Sequence, residues 1–255
     1  MKVIDTHVHL DPSIHGGIDG SVAELNAQMQ QANVAHSLAL HLEAQPWSIE
    51  EFATAILPFP GIHGFVNIHP EKSNARQILN QAIHELGYEG LKLHPRLQEF
   101  KVISESVVSL TREAGKLNVP VLIDAFPDGT HLMQGFNPLD YAELAKKCPE
   151  TKFIWAHMGG HYVIDFMMLA KRLSNVWMDT SYSLLYYRGS SKILDFTYAM
   201  KSMRFKKILY GSDYPDRPLT ISVEGSVDIL NSHGITGSNA SAILSGNAQE
   251  LFGWA

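Results

Sequence analysis

The sequence predicts a single (β/α)8 barrel, an α/β fold that occupies residues 1–255 as one domain. Short apolar runs rich in β-branched residues alternate with longer amphipathic segments along nearly the whole chain, a pattern typical of parallel strands joined by helices. The length of 255 residues is usual for one such barrel, and no low-complexity linker or change in composition divides the chain. Consecutive strand and helix units of this number favour a closed barrel over an open sheet.

The predicted strands are short segments that end in polar residues or turns. They are Val3 to Leu10, Ser37 to Leu42, Gly64 to His69, Gly90 to His94, Pro120 to Ala125, Phe153 to His157, Val176 to Thr180 and Ile208 to Ser212. The alternation of these segments with helical ones specifies a parallel sheet. The segment from Asp11 to Gly20, which contains Gly and Pro, is predicted to be a long loop over the barrel mouth.

The segments between the strands have the spacing of amphipathic helices. Ser21 to Ala32 and Ser104 to Leu117 each place apolar residues on one face. Helix-start signals support this division, because polar capping residues stand just before several helices. The signals are Ser48 before Glu51, Asn137 before Pro138, and Asn247 before Glu250.

The composition excludes several classes of function. Apolar residues make up 45% of the chain and charged residues 18%, and a net charge of -6 gives no basic surface for nucleic acid. The single cysteine, Cys148, has no partner for an internal disulfide, and the amino end carries His7 and His9 where a signal peptide needs an apolar run. No run of about 18 apolar residues is present to cross a membrane. We therefore expect a soluble cytoplasmic protein.

His7 and His9 lie two residues apart at the end of the first predicted strand, in Asp5-Thr6-His7-Val8-His9. Side chains alternate along a strand, so these two imidazoles share a face and are able to bind one ion together. Imidazole nitrogen suits zinc and similar divalent cations. The alternative is a pair of polar residues on an exposed strand.

Polar residues recur where the apolar strands end. This position matters because the active sites of (β/α)8 barrels are built at the carboxyl ends of the strands. The residues concerned are His41, His69, His94, Asp124, His157 and Asp213.

Asp213 closes the eighth strand in Gly211-Ser212-Asp213-Tyr214-Pro215. In a closed barrel the eighth strand lies beside the first, which makes Asp213 the best third metal ligand. A carboxylate in contact with a metal-activated water is also a candidate general base. The alternative is an aspartate that caps the following turn.

Two further strand ends supply candidate catalytic and substrate-binding residues. His157, which precedes two glycines, is a candidate catalytic residue that binds metal or polarises substrate, or else a structural histidine bonded to backbone. Lys92 and His94 share a face of the fourth strand and are candidate substrate-binding residues. Lys92 either neutralises a substrate carboxylate, bridges two metal ions after carboxylation, or pairs with an acidic residue inside the barrel.

These motifs together resemble the amidohydrolase superfamily of metal-dependent hydrolases, most closely the branch that includes aminocarboxymuconate semialdehyde decarboxylase. The motifs are Asp-Thr-His-Val-His at 5 to 9, Lys-Leu-His-Pro at 92 to 95, Ala-His-Met-Gly-Gly at 156 to 160 and Gly-Ser-Asp-Tyr-Pro at 211 to 215. The resemblance implies a barrel in which His7, His9 and Asp213 bind metal while His157 orients water or substrate. It also implies that one or two divalent metal ions are bound, with zinc preferred over manganese.

One position departs from the pattern of that superfamily. Its members usually carry a metal-binding histidine at the end of strand five, where this sequence has Asp124. Asp124 is therefore a candidate oxygen ligand in place of that histidine. Otherwise the ion has fewer protein ligands, or His94 or His157 takes the vacant place.

The resemblance leaves four functions open. The main hypothesis is hydrolysis of a small polar or carboxylated molecule by a metal-activated water, and the nearest rival is metal-dependent decarboxylation of a small unsaturated or aromatic acid. A phosphoesterase is a more distant alternative, and the fourth is a barrel that binds metal or a ligand without catalysis. The partner is a small-molecule substrate, with a homodimer as the default assembly. A segment rich in tyrosine after strand seven, residues 182–188, either lines the pocket or forms an exposed loop.

Overall fold

The computed structural model describes residues 2–254, and within them eight strands form one parallel sheet in sequence order. The strands are β1 Val3–Val8, β2 Val34–Leu40, β3 Ile62–Asn67, β4 Gly90–Leu93, β5 Val121–Ile123, β6 Phe153–Trp155, β7 Val176–Asp179 and β8 Ile208–Leu209. The chain after β8 returns to β1, where the His9 N–H donates to the Tyr214 carbonyl at 2.7 Å and the Asp213 N–H donates to the His7 carbonyl at 2.9 Å. These bonds close the sheet, and the predicted (β/α)8 barrel is confirmed.

Helices separate the strands and cover the outside of the barrel. They are α1 Gly17–Gln31, α2 Ile49–Ile56, α3 Ala75–His84, α4 Pro95–Gln98, α5 Glu105–Lys116, α6 Gly129–Met133, α7 Pro138–Lys147, α8 Val163–Ala170, α9 Ser183–Tyr186, α10 Lys192–Ser202, α11 Leu219–Ser232, α12 Gly237–Ser241 and α13 Asn247–Phe252. The predicted capping box of Ser48 and Glu51 begins α2, and Asn137 caps α7. No helix within residues 2–254 is long and apolar enough to span a membrane.

The strands differ from their predicted bounds in a consistent way. All eight end earlier than predicted, so that polar residues at the predicted ends, such as His9 and His94, lie just beyond the strands. β2 begins earlier than predicted, at Val34, because Val3 of β1 pairs with it.

The loop predicted from Asp11 to Gly20 is shorter in the structure and ends at Gly16, because α1 already begins at Gly17. Two glycines make this early start feasible. Gly16, at the N-cap, has a φ of 97°, a conformation that glycine adopts without steric cost. At Gly20 a Cβ would lie 2.2 Å from the carbonyl oxygen of His15, so only glycine lets the loop fold back onto the first turn.

The interior of the barrel forms a small apolar core of its own, inside the larger one between sheet and helices. Its amino-terminal end is closed by the last residues of the chain, because α13 and Trp254 pack against the strands. Asn247 does not cap α13 as predicted but lies within it, and its side-chain amide donates to the carbonyls of Phe205 and Ile208, both at 2.7 Å. These two hydrogen bonds attach the terminal helix to β8 and to the segment just before it.

Replacing Gly90 by alanine is expected to lower the free energy of unfolding by about 1–3 kcal/mol, a typical cost of overpacking. A Cβ at Gly90 would lie 2.3–2.6 Å from ring atoms of Phe65, which is completely buried inside the barrel. Urea denaturation measures the loss. Gly129→Ala is the control, since no atom lies within 4 Å of its added Cβ, and equal destabilisation of the two variants would contradict the prediction.

Candidate active site

His7 and His9 extend from β1 toward the carboxyl end of the barrel, and each has its Nδ1 engaged behind it. His7 Nδ1 lies 3.0 Å from Asp179 Oδ2, and His9 Nδ1 donates to the Leu40 carbonyl at 3.0 Å. Their Nε2 atoms face Asp213 instead, with Oδ1 of Asp213 3.2 Å from His7 Nε2 and 3.8 Å from His9 Nε2. The structure therefore brings three of the four predicted metal ligands together.

Asp213 reaches this position through an unusual backbone conformation. Its φ is 64°, in the left-handed region that aspartate and asparagine enter more readily than most residues. The backbone N–H of Asp213 is held by the His7 carbonyl of β1, while 22% of its side chain remains exposed at the mouth. Asp213 thus touches both histidines and still faces the solvent-filled end of the barrel.

The three side chains have the chemistry and spacing of a divalent metal site. Two ligand atoms on a tetrahedral zinc ion, each about 2.1 Å from the metal, stand about 3.4 Å apart. The distances of 3.2 and 3.8 Å from Asp213 Oδ1 to the two imidazole nitrogens bracket that value. His7, His9 and Asp213 form one of two groups in the described residues whose ligand atoms all lie within 4.8 Å of one another. These residues fit a divalent ion.

The second such group consists of His7, His157 and Asp179, which lie deeper and are fully buried. Hydrogen bonds already connect its members through Ser181. The Ser181 hydroxyl lies 3.1 Å from His7 Nδ1 and 2.9 Å from His157 Nδ1, and it donates a short hydrogen bond to Asp179 Oδ1. The group therefore forms a hydrogen-bonded layer beneath His7.

His157 lies in a left-handed segment after β6, with a φ of 62°, and both of its ring nitrogens are engaged. Nδ1 donates to the Ser181 carbonyl at 3.0 Å, and Nε2 donates to Asp124 Oδ1 at 3.1 Å. Burial disfavours the charged ring, but the hydrogen bond to Asp124 and the charge of Asp213 outweigh burial and raise the pKa of His157 to about 9. His157 is thus a buried cation beside the three candidate ligands.

Asp124, at the end of β5, is completely buried and lies outside both groups of candidate ligands. Burial by itself would raise its pKa, but His94 and His157 together hold the pKa of this carboxyl well below its usual range. Its Oδ2 has no hydrogen-bond partner and lies 3.7 Å from His94 Nδ1. Asp124 pairs with the His157 cation, and its role as a metal ligand stays a prediction.

Replacing Asp124 by asparagine is expected to remove a pH-dependent part of the stability. The His157 pKa is about 9 in the folded protein against 6.5 for the free side chain. The stabilisation is therefore complete below about pH 6.5 and is lost as pH rises through about 9, an effect on the order of 3 kcal/mol. We expect Asp124→Asn to destabilise the metal-free protein much more at about pH 6 than at about pH 9.5 in urea denaturation. The exposed Asp165→Asn is the control, and a loss independent of pH would refute the pairing.

Lys92 and His94 both lie at the site, as the spacing on β4 predicted. Lys92 is completely buried, and its Nζ lies 3.4 Å from His7 Nε2, the spacing of two neighbouring ligands rather than of a strong hydrogen bond. Burial lowers the pKa of Lys92, although Asp124 and Asp213 oppose this effect. His94 borders a cavity of about 310 Å³ that opens between the loops after β2, β3 and β4.

His41 and His69 also follow strand ends, but each uses both ring nitrogens to hold nearby backbone. His41 accepts from the Asn67 N–H and donates to the Trp47 carbonyl, at 3.4 and 3.2 Å. His69 accepts from the Glu71 N–H and donates to the Gln98 carbonyl, at 3.2 and 2.8 Å. These two histidines shape loops and leave no nitrogen free for an ion.

The loop after β7 contributes an aromatic surface beside His157. The Tyr182 and Tyr186 rings stack at 4.8 Å, and Phe126 meets the Tyr182 ring edge-on at 5.1 Å and the His157 ring at 5.6 Å. Arg188 points away and lies 3.9 Å from Asp228 at the surface. Only part of the predicted aromatic segment therefore reaches the site.

Asp179 and Ser181 were not identified from the sequence, although they touch both His7 and His157. The signal that would have found them is the one used for the other strands, a polar residue directly after a buried apolar run. Asp179 ends β7 after Val176-Trp177-Met178, and its carboxylate is completely buried.

This chain has the architecture of a (β/α)8-barrel enzyme, because its histidines, its carboxylates and Lys92 gather at the carboxyl ends of the strands, where such enzymes have their active sites. The family model for amidohydrolases matches residues 4–254, and the chain belongs to this family. None of the curated proteins compared with the sequence matches it.

Several solved structures share the fold at low sequence identity. An uncharacterised TIM-barrel protein of Bordetella bronchiseptica is 18% identical over 99% of both chains, with a TM-score of 0.82. A probable 2-pyrone-4,6-dicarboxylic acid hydrolase of Acinetobacter baumannii is 19% identical over 100% of both chains, with a TM-score of 0.72. A 2,6-dihydroxybenzoate decarboxylase of Rhizobium is 16% identical over 99% of both chains, with a TM-score of 0.68. Hydrolases and decarboxylases are thus both built on this fold.

Proposed function

We propose that the protein is a metal-dependent hydrolase of a small polar or carboxylated molecule, with one divalent ion, zinc, held by His7, His9 and Asp213. The convergence of both Nε2 atoms on Asp213 Oδ1 carries the proposal. Hydrogen bonds behind each ring hold these nitrogens in place, as is usual for imidazoles that bind metal. An ion bound here would lower the pKa of a water ligand to about 7 and polarise a substrate carbonyl.

Two residues of the site then supply proton transfer and charge stabilisation. Asp213 is the general base, because its partly exposed carboxylate faces the mouth where the attacking water arrives, and it passes that proton to the leaving group. His157 contributes a fixed positive charge that stabilises negative charge developing on the substrate oxygen.

Substrate binding falls to Lys92 and His94 on the β4 side of the site. We place the substrate carboxylate near Lys92, whose buried Nζ lies 3.4 Å from His7 Nε2 and makes no salt bridge within the described residues. His94, two residues further along the chain, lines the cavity of about 310 Å³, which has room for a small molecule. This arrangement supports a small acid as substrate.

The second candidate function is metal-dependent decarboxylation of a small unsaturated or aromatic acid. The specific observation in its favour is the aromatic surface of Phe126, Tyr182 and Tyr186 beside His157, since flat conjugated molecules stack on such rings. One of the structurally similar proteins is a decarboxylase of 2,6-dihydroxybenzoate. The same metal ligands would serve both reactions.

Measuring the incorporation of oxygen from water and the release of carbon dioxide distinguishes the two functions. Zinc-loaded protein is incubated in 18O-labelled water with 2-pyrone-4,6-dicarboxylate, with 2,6-dihydroxybenzoate and with a panel of small lactone and amide acids. Hydrolysis predicts 18O in the product without release of carbon dioxide. Release of carbon dioxide without net consumption of water would replace the first proposal by the second, and protein treated with a chelator is the control.

A further inference from the structure

The carboxylate of Asp179 connects three strands of the barrel beneath the candidate active site. Its Oδ1 accepts hydrogen bonds from the backbone N–H groups of His157 and Ser181, at 2.9 and 3.0 Å, and from the Ser181 hydroxyl. Its Oδ2 faces His7 Nδ1 at 3.0 Å. Oδ1 therefore binds the segments that follow β6 and β7, whereas Oδ2 contacts the histidine of β1.

This geometry fixes which nitrogen of His7 carries the proton. An ionised carboxylate only accepts hydrogen bonds, so His7 Nδ1 must donate to Asp179. On the other side of the ring, His7 Nε2 faces both an acceptor, Asp213 Oδ1 at 3.2 Å, and a donor, Lys92 Nζ at 3.4 Å, so this side does not by itself place a proton. The contact with Asp179 therefore assigns a hydrogen to Nδ1, and a neutral His7 then has its free electron pair on Nε2.

The alternative is that Asp179 itself binds an ion together with His7 and His157. Such an ion would require His7 Nδ1 to lose its proton. It would also displace hydrogen bonds that already satisfy His157 Nδ1 and the Asp179 carboxylate. The hydrogen bonds leave this group complete without an ion.

We propose that Asp179 is a positioning residue that holds His7 in the Nδ1–H tautomer and so keeps Nε2 free for the ion. The inference rests on the metal site proposed above. In this proposal Asp179, which ends β7, sets the tautomer of the metal ligand His7 on β1 without binding the ion itself. Carboxylates that orient metal-binding imidazoles in this way commonly change metal affinity 10- to 100-fold when they are replaced.

The informative substitution is Asp179→Asn, which keeps the shape of the side chain. Its amide oxygen is expected to occupy the place of Oδ1, because three donors from His157 and Ser181 point there. The amide NH2 then faces His7 Nδ1 and donates to it. His7 has to move its proton to Nε2, the nitrogen that the ion needs.

Nitrogen-15 NMR of the imidazoles in metal-free protein reads the tautomer directly, with His7→Gln used to assign the His7 signals. We expect His7 to carry its hydrogen on Nδ1 in the wild type and on Nε2 in Asp179→Asn. Ser181→Ala is the matched control, because it removes a hydrogen bond to the same carboxylate without presenting a donor to His7. An Nε2–H tautomer in the wild type overturns the proposal, even if the asparagine variant fails to fold.

Zinc binding, measured by competition with a chromophoric chelator, tests the consequence. We expect Asp179→Asn to bind zinc about 10- to 100-fold more weakly at unchanged stoichiometry. A wild type that binds two ions, together with a variant that binds one, would show instead that Asp179 is a ligand of a second ion. Unchanged affinity and stoichiometry would also overturn the proposal. If the wild type binds no zinc, the metal site fails, while the tautomer measurement still decides the role of Asp179.

Discussion

The double variant His7→Ala, His9→Ala is expected to lose its divalent ion and to fall to background activity. It removes two of the three side chains that converge within ligand distance, and a lone carboxylate at Asp213 holds zinc weakly. Metal content is measured by inductively coupled plasma mass spectrometry on untagged protein after incubation with zinc or manganese. We expect about one equivalent in the wild type and none in the variant.

His69→Ala is the matched control for this experiment. His69 also follows a strand of the barrel, but its two ring nitrogens hold the backbone of Glu71 and Gln98. This control is expected to keep its metal and to lose only some stability. Retention of the full metal content by the double variant would rule out the proposed site. A wild type that takes up no ion would mean that the barrel works by other means.

Replacing Asp213 by asparagine is expected to lower kcat by about 10²- to 10⁴-fold, the usual contribution of a general base. Asparagine has nearly the same shape but cannot accept the proton of the attacking water, and it is a weaker ligand for zinc. The fold should remain intact, since asparagine tolerates the φ of 64° and the side chain is partly exposed. Steady-state kinetics with the substrate found in the 18O experiment, together with thermal unfolding, separate these effects.

Asp216→Asn provides the comparison within the same loop. Asp216 lies 2.7 Å from Arg217 and makes no contact with His7 or His9, so its replacement should leave kcat nearly unchanged. Full activity of Asp213→Asn at saturating zinc would remove Asp213 from the role of general base. Weak zinc binding combined with a normal kcat at high zinc would leave it the role of ligand alone.

The sequence by itself determined the fold and the end of the barrel where polar residues gather. Alternation of apolar runs and amphipathic segments predicted all eight strands, because burial on both faces imposes that pattern on a parallel sheet. The spacing of His7 and His9 placed both on one face of β1. The order of the strands then placed Asp213 beside them, since the last strand of a closed barrel lies next to the first.

Only the tertiary structure decided what each side chain contacts. In the folded chain both ring nitrogens of His157 form hydrogen bonds, with Asp124 and Ser181. His41 and His69 form hydrogen bonds with the backbone of nearby loops. The tertiary structure also places Asp179 behind His7, 172 residues away in sequence. Periodicity in a sequence reports the face of a strand and the end at which a residue lies. The nitrogen that a histidine turns toward an ion depends instead on donors and acceptors from distant strands, which meet only when the barrel closes.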